Sequence, residues 1–576
     1  MTTTDPITLA LTGQLPFILS LSAVLAFPIS FFLLYLYRRA VLRGMARRST
    51  KPVPQPEEPV GGEEASPVPG ILRISIADAA ERKAKGEAEG RLYQLARAAP
   101  WRASLIYAAG GLVFASVMAL SFLISGDMEI LPLRFLLLLT LFAWPLVPTL
   151  ASVAGTGRKT NLLIAAAYAG LYIALATAGL IRSPESSAGE LFILWVTTNI
   201  PPTILLLVFL VRRVRAVGPL VVTFMVFALT GSNIILSVLE RNEALSRTVA
   251  DALFSIGLGG TGAFVALIIT GLCLFAIIGW FALLWIRRRY VAKKANDQSL
   301  ILDALWLLFG ISYAIGLAFE GAPWVLSGIA AFAGYKAMVR LGFRIIAPLP
   351  SRQGIARLLV LRVFSLGKRS EELFQAISRG WRYIGHVQLI AGPDLAAATV
   401  EPHEFLDFLS GRLSRQFIDG PEALSRRMVE LDATPDFDGR FRVNDYFCHD
   451  DTWQMTLGEL VNHSDAVLMD LRGFTRQNAG CAYELQALVN TTSLGKVVLT
   501  VDSTADSAFL EQTLREEWES MRPGSPNRKG SCEVRIFRLD GPSDRSVQSL
   551  LRLLCMATGE RASGDRVTAG EGERKT

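Results

Sequence analysis

The hydrophobic pattern divides the chain into two parts. Up to about residue 342, apolar residues come in blocks of about twenty or more, separated by short polar stretches. Beyond about 356, short β-rich runs alternate with amphipathic runs of helical period. A helix needs about 20 apolar residues to cross the hydrocarbon core of a bilayer, and each block supplies them. The blocks lie at 15–37, 103–125, 131–153, 161–181, 191–211, 218–239, 252–286, 300–319 and 322–342, which predicts nine crossings. The first is a single transmembrane helix and 103–342 an eight-helix bundle. The block at 252–286 would form a helix of about 50 Å, too long for that core. Gly257, Gly259, Gly260 and Gly262 offer the place where it breaks.

Charge orients these crossings. Arg38, Arg39, Arg43, Arg47 and Arg48 follow the first block, and no basic residue precedes it. That asymmetry excludes a secretory signal and places residues 1–14 outside. Further basic stretches hold Arg158/Lys159, Arg212/Arg213/Arg215, and Arg287/Arg288/Arg289 with Lys293/Lys294. The intervening ones hold Asp127/Glu129, Glu185/Glu190, a mixed Glu240–Asp251 stretch and Glu320. The alternation delivers the C-terminus to the cytoplasm and makes the lipid bilayer a partner. It also accounts for the net charge of +7, so nucleic acid is not expected as a partner. Asn199, Pro201 and Pro202, with Pro145 and Pro148, interrupt two blocks as the broken helices of transporters do. Arg134, Asp303 and Lys336 fall near block ends, where they can snorkel. Anchoring, oligomerisation or sensing by the bundle is therefore expected ahead of transport.

The segment 38–102 reads as a cytoplasmic linker followed by an amphipathic helix. Residues 51–70 (KPVPQPEEPVGGEEASPVPG) are rich in Pro, Glu and Gly, and 71–97 are charged and Ala-rich. A second linker covers 343–355, and a Gly-, Glu- and Arg-rich tail at 560–576 reads as disordered.

In 356–559 the candidate strands are 358–365, 386–391, 466–471, 497–501 and 532–539. Helical patterns lie at 370–384, 401–418, 452–463, 478–493, 506–520 and 545–558. Apolar strands separated by helices predict an α/β doubly wound domain with a parallel sheet. Met428–Cys448 reads as a hairpin around Pro435–Gly439. Ligands of such sheets bind where strands lead into helices. The loops there supply Ser365, Gly367 and Lys368, then Gly392 and Asp394, then Arg472 and Asn478, with Cys481 and Glu484 opening a helix. A carboxylate at Glu484 can hydrogen-bond a sugar hydroxyl or stabilise an oxocarbenium ion, or simply face the helix dipole. Arg472 can receive a phosphate or belong to a solvated face. The five cysteines and four histidines show no metal-ligand spacing, so no metal is expected.

The string from Asp465, DAVLMDLRGFTRQNAGCAYELQAL, resembles the Toll/interleukin-receptor (TIR) domain family. Cys481, Glu484 and Leu485 match its C-x-x-E-L motif, and VFSLGKRS resembles its first strand and loop. Gly480 stands where the family usually has tryptophan. The same stretch resembles nucleoside deoxyribosyltransferases through Asn478, Gly480, Cys481 and Glu484, followed by Gly495, Lys496 and Val497. Both resemblances imply chemistry at an N-glycosidic ribose carbon, with Glu484 as the catalytic residue. The first implies a flavodoxin/TIR-like fold, self-association through that domain, and NAD or a related nucleotide as substrate or ligand, with no cofactor required. The expectation is a multi-pass signalling or defence protein of a bacterial inner membrane. The alternative is a non-enzymatic nucleotide or partner sensor controlling a pore or transporter bundle.

Overall fold

The computed structural model describes residues 14–49, 71–77, 90–155, 158–182, 187–209, 217–346, 355–363, 368–392, 400, 402–528, 532–541 and 543–572. They form two compact units. One gathers residues 1–37, 103–346 and 400–407, and the other gathers 38–102, 347–399 and 408–576.

The first unit is helical. Its elements are α1 (Leu15–Met45), α2 (Arg91–Ser125), α3 (Pro132–Phe142), α4 (Leu146–Ala154), α5 (Arg158–Arg182), α6 (Ala188–Phe209), α7 (Gly218–Arg241), α8 (Glu243–Ser255), α9 (Gly260–Val291), α10 (Asp297–Leu317) and α11 (Leu326–Ile346). Among the described residues all nine apolar blocks fold as helices, but not all as simple spans. Seven of these helices are long and apolar enough to cross a membrane, and α3 with α4 makes an eighth only as a pair bent by 52°. The ninth, α11, carries Lys336, Arg340 and Arg344, and falls short of the apolar content that a span requires. The over-long block breaks at Gly257, whose φ of +86° suits only glycine, leaving α8 separate from α9.

Small residues allow α7 and α9 to approach closely. A Cβ on Gly271 would lie 2.6 Å from the Ser232 Cα, and the Ser232 hydroxyl donates to the Ile268 carbonyl across the same seam. Gly271→Leu should therefore separate the pair and cost about 1–3 kcal/mol. Thermal unfolding of the purified chain measures this, with Gly260→Leu, where nothing lies within 4 Å of the added Cβ, as the control.

Asp303 and Lys336 do not reach separately for solvent. They pair with each other, with the Lys336 Nζ 2.8 and 2.6 Å from the two carboxylate oxygens, and this joins α10 to α11. Asp303→Asn should cost about 3 kcal/mol by leaving Lys336 without its counter-charge. Asp303→Leu combined with Lys336→Met should recover most of that loss. Thermal midpoints of the three variants decide it, and additive losses would refute a coupled pair.

The second unit holds one eight-stranded parallel sheet. Its strands are β1 (Leu72–Ala77), β2 (Ala356–Arg362), β3 (Gly385–Ile390), β4 (Phe417–Ile418), β5 (Val443–Cys448), β6 (Ala466–Asp470), β7 (Val497–Val501) and β8 (Cys532–Arg538), in the order β1-β8-β7-β6-β2-β3-β5-β4. Six helices accompany them: α12 (Lys368–Trp381), α14 (Pro421–Val429), α15 (Trp453–His463), α16 (Ala479–Thr491), α17 (Ser507–Glu519) and α18 (Asp544–Gly572), while α13 (Pro402–Leu409) falls in the first unit as far as Asp407. Alternate residues of β2 point to opposite faces. Leu359 and Leu361 pack with α15, α16 and α17 through residues such as Leu460, Leu485 and Leu514. Leu358 and Val360 pack with α12 and α18 through Ile377 and Leu554, and with Tyr93 and Ala96 of α2. Helices thus cover both faces of the sheet.

Four expectations change here. Leu72–Ala77, in the segment read as an amphipathic helix, is a strand paired with β8 in register from Leu72↔Cys532. Residues 91–97 open α2 rather than closing a separate helix. Met428–Cys448 is not a hairpin. Its single strand, β5, runs parallel to β3, and Arg442 anchors the preceding turn on Asp436 at 2.9 Å. Finally, α18 continues to Gly572, past the expected start of the tail. The arginine-rich stretch after the first block also belongs to this unit. Within it the Ser49 amide donates to Asp451 at 2.9 Å, and the His449 ring meets the Gly44 carbonyl at 2.8 Å. Linker residues 51–70 lie outside the described residues.

Candidate functional site

The strand order reverses between β2 and β6. The chain builds outward from β2 through β3 to β5 and β4, then returns to β6 on the other side and continues to β7 and β8. In a sheet of this kind the diverging loops open a crevice at the carboxyl ends of the two strands. The last residues of β2 and β6, Arg362 and Asp470, stand opposite each other in register. Each ends an apolar run with a charge, and both are buried.

A lattice of charges holds the crevice floor. Arg472 grips Asp470 with Nε and Nη2, both at 2.7 Å, and its Nη2 also donates to the Arg369 carbonyl at 2.8 Å. Asp470 further accepts from the Thr500 hydroxyl at 3.3 Å and the Ser370 hydroxyl at 3.4 Å. Asp502, just after β7, pairs with the Arg369 guanidinium and accepts from the Thr504 amide and hydroxyl at 3.0 and 2.7 Å. It also receives the amide of Gly473, whose φ of +70° turns the β6–α16 loop and favours glycine. Arg472 is therefore neither a solvated face nor a loose phosphate clamp. Its fork is occupied in tying β6 to the start of α12.

Above this floor α16 presents the expected motif. Asn478 closes the loop by accepting from the Thr475 amide at 2.9 Å and its hydroxyl at 3.2 Å. Cys481 is buried, with its Sγ 3.9 Å from the Arg362 carbonyl. Burial raises its thiol pKa, with Glu484 and Asp470 adding to the shift, which favours the protonated thiol over the reactive thiolate. Glu484 lies one turn further along and is only 4% exposed. Its Oε2 has no hydrogen-bond partner among the described residues. Burial pushes the carboxyl up to about 8, against the pull of the Arg362 guanidinium. A buried carboxyl oxygen without a hydrogen bond costs the fold stability, so its presence here calls for another explanation.

The structure thus gathers Arg472, Cys481 and Glu484 at one sheet end, with Asn478 in the adjoining loop. Lys368 is the first residue of α12, which Arg472 reaches through Arg369. Gly392 is buried just past β3. Ser365, Gly367 and Asp394 lie outside the described residues. Sequence reasoning singles out none of Arg362, Asp470 and Asp502, and it contains Arg369 only as a member of the first loop. For Arg362 and Asp470 the signal was present, since each is a charge closing an otherwise apolar strand.

Compared with known protein families, curated proteins and solved structures, the chain matches none. The class rests on the fold itself: a helical unit with seven membrane-length apolar helices, joined in one chain to a parallel α/β unit.

Proposed function

We propose that the chain is a membrane-anchored protein whose cytoplasmic α/β unit binds a nucleotide such as NAD at the β2/β6 crevice and cleaves its N-glycosidic bond with Glu484. The observation carrying this reading is the buried carboxyl of Glu484, with its Oε2 lacking a hydrogen bond among the described residues, at the switch point of the sheet. The substrate comes from the resemblance of the Cys481, Glu484 and Leu485 motif to TIR domains, and the placement in a bacterial inner membrane from the same resemblance and the loop charges.

The chemistry follows from the carboxyl's environment. With its pKa near 8, Glu484 is a neutral acid at pH 7 when the crevice is empty. A cationic N-ribosyl group beside it favours the ionised form. That carboxylate can then hydrogen-bond a ribose hydroxyl and stabilise the positive charge that develops at the anomeric carbon as its bond to the ring nitrogen breaks. Neutral nicotinamide leaves, and water adds its oxygen to that carbon and releases a proton. The Asp470–Arg472 and Asp502–Arg369 pairs fix the floor beneath it.

The test is nicotinamide release from NAD by the purified full chain at rising protein density, comparing wild type with Glu484→Ala. Release that survives the substitution would sink the catalytic role. A second reading has its own observation. Helix α2 is divided between the units, with residues up to Arg102 in the α/β unit and those from Ala103 in the helical one. If NAD binds but no nicotinamide appears at any density, the α/β unit is a sensor that acts on the helical unit.

A further inference from the structure

The helical unit contains a cavity that the reading above does not use. It measures about 480 Å³, within the range of small-molecule sites, and is walled by α1, α2, α3, α6 and α10. Two interruptions of helical hydrogen bonding stand beside it, one inside the continuous α6 and one at the bend between α3 and α4. Pro201 and Pro202 lie inside α6 and have no N–H to donate, so the carbonyls of Thr197 and Thr198 lose their usual helical partners. The α3–α4 pair bends at Ala143–Pro145.

Buried side chains tie these breaks together. Asn199 donates to the Leu141 carbonyl at 3.3 Å and accepts from the Tyr313 hydroxyl at 2.6 Å. Trp144 donates to the Thr203 hydroxyl at 2.8 Å. The breaks are thus fixed features, held by groups that would otherwise be buried without partners.

The wall is uncharged, and its polar side chains are hydroxyls. Ser20, Thr197, Thr198, Ser312 and Tyr313 line the cavity beside Pro201 and Pro202, and the rest of the lining is apolar. The Tyr313 proton goes to Asn199, the Thr197 proton to the Ile193 and Leu194 carbonyls, and the Ser312 proton to the Leu308 carbonyl. Those three hydroxyl oxygens, with the two carbonyls released by the prolines, offer acceptors. No charged side chain lines the space, so a buried ionic ligand would lack a counter-charge there.

We infer that this cavity binds a neutral, largely apolar molecule bearing a hydroxyl, whose O–H donates to the carbonyls of Thr197 and Thr198 while its hydrocarbon part fills the space between Phe122, Phe142 and α10. A lipid alcohol has this chemistry. A fatty acid brings a charge that the wall does not neutralise, and an alkyl ether brings no donor.

The test uses the purified full chain in detergent and three photoreactive probes of equal chain length: a long-chain primary alcohol, its methyl ether and the corresponding fatty acid. Cross-linked peptides are mapped by mass spectrometry. The alcohol should label residues 197–205 or 312–319 saturably, with competition by unlabelled alcohol, and about fivefold more than the ether. Gly316 lines the cavity and an added Cβ there meets nothing within 4 Å, so Gly316→Phe fills the space and should abolish labelling. Pro201→Ala with Pro202→Ala restores two N–H donors and should bring alcohol labelling down to that of the ether. Equal labelling by alcohol and ether in the wild type would overturn the inference, as would preferred labelling by the acid or labelling unchanged by Gly316→Phe. The wild-type probe comparison needs no variant, so it stands even where one fails to fold.

Discussion

Glu484→Gln should cut nicotinamide release by about 10²- to 10⁴-fold while leaving the chain more stable at neutral pH, not less. The two effects have one origin. Folding moves the carboxyl from an ordinary value of 4.5 to about 8, so the folded state holds a proton that the unfolded state releases. The group's contribution is therefore intact below pH 4.5 and is lost as pH rises through 8. Glutamine carries no such penalty. The difference in thermal midpoint between variant and wild type should be smallest near pH 4, grow in the variant's favour through neutral pH, and level off above pH 8. A variant that is less stable across the whole range would make Glu484 a structural residue. Neutral or raised stability with lost turnover is the pattern of a group kept for function.

Asp470→Ala should have the largest effect on folding. It would leave the Arg472 guanidinium buried without its carboxylate, at a cost of about 3–5 kcal/mol. The Thr500 and Ser370 hydroxyls would lose an acceptor as well. The compensating change is Asp470→Leu with Arg472→Met, which removes both charges and should recover a large part of the loss. Urea unfolding followed through Trp381, Trp453 and Trp518 of the same unit reports it. Failure of the double variant to recover would place the strength of the site in the Arg472 bond to the Arg369 carbonyl instead.

The readable part of this fold is the part buried on both sides. β2, β6 and β7 are mainly apolar runs, β3 and β8 keep apolar residues at alternate positions, and all five appear within a few residues of their expected positions. β1 was hidden because an edge strand has one neighbour, and LRISIA mixes an arginine and a serine into its run. β5 coincides with the second run of the stretch read as a hairpin, and what the sequence does not show is its parallel pairing with β3, because its partner lies far away in the chain. In the helical unit the glycines around 257 announced their break correctly. The pairing of Asp303 with Lys336 could not be read, because it depends on how α10 and α11 face each other. At the site, sequence placed Glu484 but not its isolation. Burial without a partner is a property of everything packed around a residue.

The placement of β1 bears on how the protein is made. Ser75 bonds the Val534 carbonyl, 459 residues further along the chain. On the ribosome the edge strand emerges early, before nearly all the apolar helices and the whole rest of its sheet. It therefore waits unpaired through most of synthesis, during which an exposed strand can join the wrong neighbour. Closing this long-range parallel contact is entropically slow and depends on the last strand to appear. A fragment beginning near residue 350 would lack that edge and the Tyr93 and Ala96 contacts with the core. Supplying residues 38–102 in trans is the natural way to restore them.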